Sequence, residues 1–447
     1  MRKALYVILI IVFLVAAYFV TGALYPKYTS YFPVFAIILL LDLYLWFSLK
    51  NRILQLKPAL AYILTFLYWL PFFSMVLLSV VSVFIPILEW NMIFYTYLSG
   101  GIFIVYAAKV LTVIFLFLAD IIKVIRHAYR FVKQKRKKEA EALEGKKITR
   151  GRFLQNIGLL GGGIMLSGLI IGMIKWAHDF KIKSLGITLP KLPSAFNGFK
   201  IVQVSDIHLG SWTSPAALEE AVTKINNLEP DIVVFTGDLV NFSTKEAFTY
   251  EKTLSSIKAR YGVYAILGNH DYGDYVNWDS PEAKQKNIDD LVSFYERIGW
   301  NLLRNDHDLI GATGEQIALI GVENWSAISR FPRYGNLDTA NGNISYVPVK
   351  ILLSHDPTHW DAEICKTHKD IDLTLSGHTH GFQFGIEWRN LRWSPAQYMY
   401  KQWAGFYARE ADGHEQYLYV NRGLGNIGYP GRIGILPEIT LLTLYNV

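Results

Sequence analysis

Five short motifs run in order through the C-terminal half of the chain. They are Asp206-Ile207-His208, Gly237-Asp238-Leu239-Val240-Asn241, Gly268-Asn269-His270-Asp271, Ser354-His355-Asp356 and Gly377-His378-Thr379-His380-Gly381. Together they supply carboxylates, an amide and several imidazoles. Two adjacent divalent metals need such a set, and paired metals are a general device for breaking phosphate esters. Asp206 and His208 are two residues apart, so on an extended strand end both side chains face the same way. His378 and His380 have the same spacing. Asp238 follows a glycine, which lets the backbone turn and leaves the carboxylate free to bridge two ions. Asn269 offers a neutral oxygen and His355 a further imidazole. Mixed Asp, His and Asn ligands suit Mn, Fe or Zn better than Ca or Mg. His307, His359 and His368 stand outside any motif and read as surface or packing residues.

These side chains must be positioned by something, and each motif follows a short apolar or β-branched run. The runs are Lys200–Ser205, Asp231–Thr236, Val263–Leu267, Lys350–Ser354 and Leu373–Ser376, which read as buried strands. Pro215–Leu228 and Glu282–Ile298 have helical periodicity. Gln416–Val420 and Glu438–Leu444 add strands flanking a glycine-rich loop at Gly423–Gly434. Strands alternating with helices indicate a layered α/β domain, whose sites lie just past strand ends.

The remainder of the chain is of another kind. Of 447 residues, 52% are hydrophobic, and mean hydropathy is +0.23. The excess lies in the first third. Residues 1–152 carry 19 Lys and Arg against 6 Asp and Glu, a net +13, while the rest of the chain stands at −6. A mildly acidic C-terminal part lacks the basic footprint of a nucleic-acid enzyme, so no nucleic-acid partner is expected. Cys365 is the only cysteine, which excludes an intramolecular disulfide and a cysteine-based zinc site.

Ala4–Tyr25, Phe32–Leu49, Ala59–Leu88, Gly100–Ile122 and Phe153–Ile174 are apolar stretches of roughly membrane-crossing length. Alternate loops are basic, above all Arg126–Arg152 with Lys133, Lys135, Arg136, Lys137 and Lys138. That pattern predicts a multi-pass protein of the cytoplasmic membrane with its N-terminus inside. Five spans then put the C-terminal domain outside; if Phe153–Ile174 is instead buried or re-entrant, the domain is cytoplasmic. The expected organisation is a four-span region at 1–125, a basic cytoplasmic loop at 126–152, an anchor helix at 153–177 and a globular domain at 178–447. Thr149–Leu154 resembles a degenerate twin-arginine signal, its arginines split by Gly151. Asp42, Lys109 and Asp120 sit in apolar spans. For Asp42 and Lys109 two readings are open, a structural pair across two helices and an ion or substrate path.

In its ordered motifs D-x-H, G-D, G-N-H-D, H and G-H-x-H, the chain resembles the calcineurin-like metallophosphoesterase superfamily over residues 180–447. Asn421-Arg422-Gly423-Leu424-Gly425 and Pro437-Glu438-Ile439 resemble its bacterial membrane-anchored branch. That branch includes UDP-2,3-diacylglucosamine hydrolases and cell-envelope phosphodiesterases. The resemblance implies a four-layer αββα sandwich, preceded here by an α-helical transmembrane region, and a metal-dependent phosphoesterase. It implies two divalent ions: Asp206, His208 and His380 would hold the first, Asn269, His355 and His378 the second, and Asp238 would bridge them. His270 would serve the leaving oxygen. Many relatives have a carboxylate where this chain has Asn241, and in some it orients the histidine; Asp271 is a candidate substitute. The expected substrate is a phosphodiester or pyrophosphate of a lipid or envelope component. The alternatives are a cytoplasmic lipid-nucleotide pyrophosphatase and a transport or sensor module with a regulatory esterase domain. Trp388–Tyr407 mixes aromatic and basic residues, which suits either a bilayer interface or a packed loop.

Overall fold

The computed structural model describes residues 12, 14–23, 26–86, 89–134, 150–312, 314–389, 391–411 and 414–447. The chain divides into two compact units, one of residues 1–83 and 101–167, the other of residues 84–100 and 168–447.

The first unit is helical. Its main elements are α1 (Phe32–Ile53), α2 (Pro58–Phe84), α3 (Met92–Gln134) and α4 (Arg150–Ile174), the last two contributing one end each to the second unit. All four contain a stretch long and apolar enough to cross a membrane. Of the expected first span, Ala4–Tyr25, the described part is an apolar helix at Leu14–Ala23. The span expected at Gly100–Ile122 begins earlier, because the Asn91 side chain accepts the Phe94 N–H and starts the helix there. Lys135, Arg136, Lys137, Lys138 and Thr149 lie outside the described residues.

The charges inside the first unit are paired. Lys109 Nζ lies 2.6 Å from Asp42 Oδ1 and donates to the Tyr68 carbonyl at 2.9 Å. Tyr106 donates its hydroxyl to Asp42 Oδ2 at 2.7 Å. Asp42 and Lys109 are both buried. Buried charges persist when paired and hydrogen-bonded throughout, so the geometry favours the structural pair over the ion path.

In the second unit two six-stranded sheets stack face to face. The first has the spatial order β1 (Lys181–Thr188), β14 (Glu438–Tyr445), β2 (Phe199–Val204), β3 (Ile232–Phe235), β4 (Val263–Ala265), β5 (Trp300–Leu302). The second runs β12 (Gly405–Ala411), β13 (His414–Val420), β9 (Leu373–Ser376), β8 (Lys350–Leu353), β7 (Glu315–Gly321), β6 (Asp306–Ala312). Alternation along the strands explains the layers. Val202, Val204, Val233 and Phe235 pack against helices α5 (Pro215–Asn226) and α6 (Pro281–Arg297) through Leu218, Val222, Leu291 and Phe294. Their neighbours Ile201, Ile232 and Val234 point the other way and meet Leu319, Ile351, Leu353 and Leu375 of the second sheet. On the far side of the second sheet, Ala318, Ile320, Leu352 and Leu418 pack under Leu337, Trp360 and Ile364. The result is the expected αββα sandwich.

The five motif-bearing strands stand where expected, β4 ending two residues early at Ala265. Strands β1, β5, β6, β7, β12 and the small hairpin β10 (Ile386–Trp388) with β11 (Leu391–Trp393) go beyond the expected set. Most of these lie at sheet edges or outside the sheets, where half-exposed residues blur the apolar pattern.

Candidate metal centre

All five motifs converge past the C-terminal ends of β2, β3, β4, β8 and β9. Hydrogen bonds tie them to one another. The His378 N–H donates to both Asp206 carboxylate oxygens at 3.0 Å. The His270 N–H donates to Asp238 Oδ1 at 2.8 Å. His355 Nδ1 meets the Thr236 carbonyl at 2.7 Å, so that nitrogen carries the proton and Nε2 faces the centre. Close approach of the loops requires glycine: a Cβ on Gly377 would collide with Ser205 and Asp206.

Two groups of ligand atoms result, Asp206 with His208 and His380, and Asp238 with His355 and His378. His208 Nε2 and His380 Nε2 are 3.1 Å apart, and His380 Nε2 is 3.2 Å from Asp206 Oδ1. His378 Nδ1 is 3.2 Å from His355 Nε2. Asp238 Oδ2 lies 3.1 Å from His355 Nε2 and 3.6 Å from His208 Nε2, between the two groups. Asn269 Oδ1 is buried without a hydrogen-bond partner among the described residues, while its Nδ2 donates to the Tyr275 hydroxyl at 2.7 Å. Converging imidazole nitrogens, carboxylates and an unpartnered amide oxygen fit divalent cations. Asp206, His208, Asp238, His378 and His380 all have positive φ. Such backbone is costly for non-glycine residues and persists where the surroundings enforce it, as at functional sites.

Burial alone would raise Asp206 and Asp238, but neighbouring histidines, His380 and His355 foremost, hold both carboxyls below their usual range. Burial lowers His208, His270 and His378. In His355 burial is outweighed by Asp238, which pushes the ring up to about 10.

His270 stands beside the first group, its ring 4.9 Å from that of His208 and stacked on Tyr275 at 4.2 Å. The partner of its Nδ1 is the main-chain carbonyl of Asn241 at 2.8 Å, not the side chain of Asn241 or of Asp271. Asp271 points elsewhere: its carboxylate accepts the N–H groups of Asp238, Leu239, Val240 and Gly268. Asp271, the candidate substitute for the carboxylate that this chain lacks at Asn241, therefore does not contact the ring, whose Nδ1 the local backbone already satisfies. His359 is fully buried, bonded to Ser354 Oγ at 2.9 Å and stacked on Trp325, a packing residue.

Three contributors carry no motif. Tyr275 fixes the Asn269 amide. The Tyr400 hydroxyl lies 3.0 Å from His378 Nε2, leaving Nδ1 for a metal. Arg432 is fully buried, donates to the carbonyls of Arg422, Gly423 and Gly425, and approaches His380 Nδ1 to 3.4 Å. Arg432 is the lone charge of the glycine-rich loop Gly423–Gly434, which marks its place in the sequence but not its role.

Fold and site together define a membrane-associated metallophosphoesterase. Residues 199–382 match the family described as Calcineurin-like phosphoesterase, and residues 27–176 match that described as Probable Calcineurin-like phosphoesterase, transmembrane domain. The chain is 30% identical over 311 residues to the uncharacterized metallophosphoesterase YkuE of Bacillus subtilis, covering 67% of this chain and 98% of that one. It is 30% identical over 306 residues to a transmembrane protein with metallophosphoesterase domain of Danio rerio, covering 66% of this chain and 64% of that one. It is also 30% identical over 303 residues to the UDP-2,3-diacylglucosamine pyrophosphatase LpxG of Chlamydia trachomatis, covering 56% of this chain and 86% of that one. The chain thus spans just under two thirds of the length of the Danio rerio relative. The chain belongs to the calcineurin-like metallophosphoesterase family.

Proposed function

We propose that the chain is a dinuclear-metal phosphohydrolase cleaving a phosphodiester or pyrophosphate bond of a lipid or cell-envelope substrate. The observation that carries this is the position of Asp238 Oδ2 between two histidine-carboxylate groups. Asp206, His208 and His380 would hold one ion, Asn269, His355 and His378 the other, with Asp238 shared and Mn, Fe or Zn the matching metals. When bound, the ions supply a water of lowered pKa and positive charge against phosphoryl oxygens. His270 keeps Nδ1 on the Asn241 carbonyl, so Nε2 is the nitrogen free to serve the leaving oxygen. Asp271 holds the Asp238 and Gly268 loops at fixed separation.

The basic loops support an extracytoplasmic domain. The LpxG relatives favour a second reading, a lipid-nucleotide pyrophosphatase on the cytoplasmic side. A C-terminal alkaline phosphatase fusion separates the two, being active only outside. For the chemistry, the full-length protein in detergent is stripped of metal and resupplied with Mn²⁺. Mn-dependent hydrolysis of bis(p-nitrophenyl) phosphate or of UDP-2,3-diacylglucosamine is expected. Undiminished turnover in the stripped protein would refute the metal reading.

A further inference from the structure

The stretch Trp388–Tyr407 divides in two. Tyr400 and Trp403 are buried beside the metal centre. Trp388, Leu391 and Tyr398 are 67%, 53% and 76% exposed, an apolar cluster on and beside the β10–β11 hairpin. Single exposed apolar residues need no explanation, but a contiguous set does.

The surroundings of the hairpin say what covers it. Ile433 pairs with Phe384, accepts the Gly385 N–H at 2.9 Å and donates to the Gln383 carbonyl at 2.8 Å, just before the hairpin begins. The same loop meets the end of an apolar span. The Arg432 N–H donates to the Gly172 carbonyl at 3.2 Å, and Tyr429 donates its hydroxyl to the Leu169 carbonyl. Leu169 and Gly172 belong to the span Phe153–Ile174. The loop therefore meets the end of a helix long and apolar enough to cross a membrane, with the hairpin next to it. Arg389 and Arg392 are exposed there, Arg389 over the Trp388 ring at 5.1 Å. Tryptophan, tyrosine and arginine are the residues that settle at an anionic lipid headgroup layer.

We infer that the β10–β11 hairpin, with Tyr398 and Met399, dips into the headgroup layer of the membrane that anchors the chain. The segment that follows it carries Tyr400 to His378, and Thr379 donates its hydroxyl to the Trp403 carbonyl at 2.6 Å. Hairpin depth thereby sets how near the metal centre stands to lipid. The inference rests on membrane anchorage, not on which bond is cleaved.

The test uses the full-length chain in nanodiscs of phosphatidylcholine and phosphatidylglycerol. Cys365→Ser removes the only cysteine. Trp388→Cys, Leu391→Cys and, as a control at the opposite end of the sheets, Tyr346→Cys each receive an NBD label. Shallow doxyl lipids are expected to quench the labels at 388 and 391 about twofold or more, and to leave 346 unchanged. Water-like, unquenched emission at 388 and 391 would overturn the inference. So would blue-shifted emission without lipid quenching, which would mean a protein partner.

Discussion

The main-chain carbonyl of Asn241 meets Nδ1 of His270 at 2.8 Å. The ring is thus oriented by backbone and not by the buried side chain at 241. Asn241→Ala is expected to keep turnover of bis(p-nitrophenyl) phosphate within about threefold, while His270→Ala loses about 10²-fold or more. A comparable loss in both variants would show that the Asn241 side chain acts in the reaction.

Asp271 is a different case. Its carboxylate accepts four backbone N–H groups and links the loops that carry the candidate ligands Asp238 and Asn269. Asp271→Ala leaves those donors buried and unpaired, at about 1–3 kcal/mol for each group left unsatisfied. A clearly lowered Tm and weaker Mn²⁺ binding are expected by thermal denaturation and metal titration; an unchanged Tm would contradict the structural role.

The Tyr400 hydroxyl meets His378 Nε2, where it would support the candidate metal centre. Tyr400→Phe should raise the Mn²⁺ concentration for half-maximal activity about 10–100-fold, with kcat at saturating metal little changed. An unaltered metal requirement would remove Tyr400 from the site.

Asp42 and Lys109 form a closed pair within the helical unit. Asp42→Asn or Lys109→Met alone leaves an unpaired charge, a loss of about 3–5 kcal/mol, and the double variant should recover much of it. Thermal aggregation in detergent measures this. A double variant no more stable than either single one would argue against the pair.

Much of the fold and of the metal centre is legible in the sequence, for a physical reason. The candidate ligands follow strand ends and two pairs of them sit at short spacing, so Asp206-x-His208 and His378-x-His380 stand out along the chain. Tyr275, Tyr400 and Arg432 act through loops joined only in three dimensions, and no local pattern identifies their roles. Asn241 attracts attention for its side chain, but its contribution is a carbonyl that every residue type possesses. The strands β10 and β11 leave little trace because each is only three residues long, too short for the alternation of Ile386-Glu387-Trp388 and Leu391-Arg392-Trp393 to register as a strand pattern.

The most direct test counts metal. Full-length protein reconstituted with Mn²⁺ and freed of excess is assayed for bound metal and for turnover, beside Asp238→Asn. A shared Asp238 predicts about two ions per chain in the parent, and fewer ions with turnover lost in the variant. Full activity with about one ion per chain, or parental turnover in Asp238→Asn, would contradict a dinuclear centre.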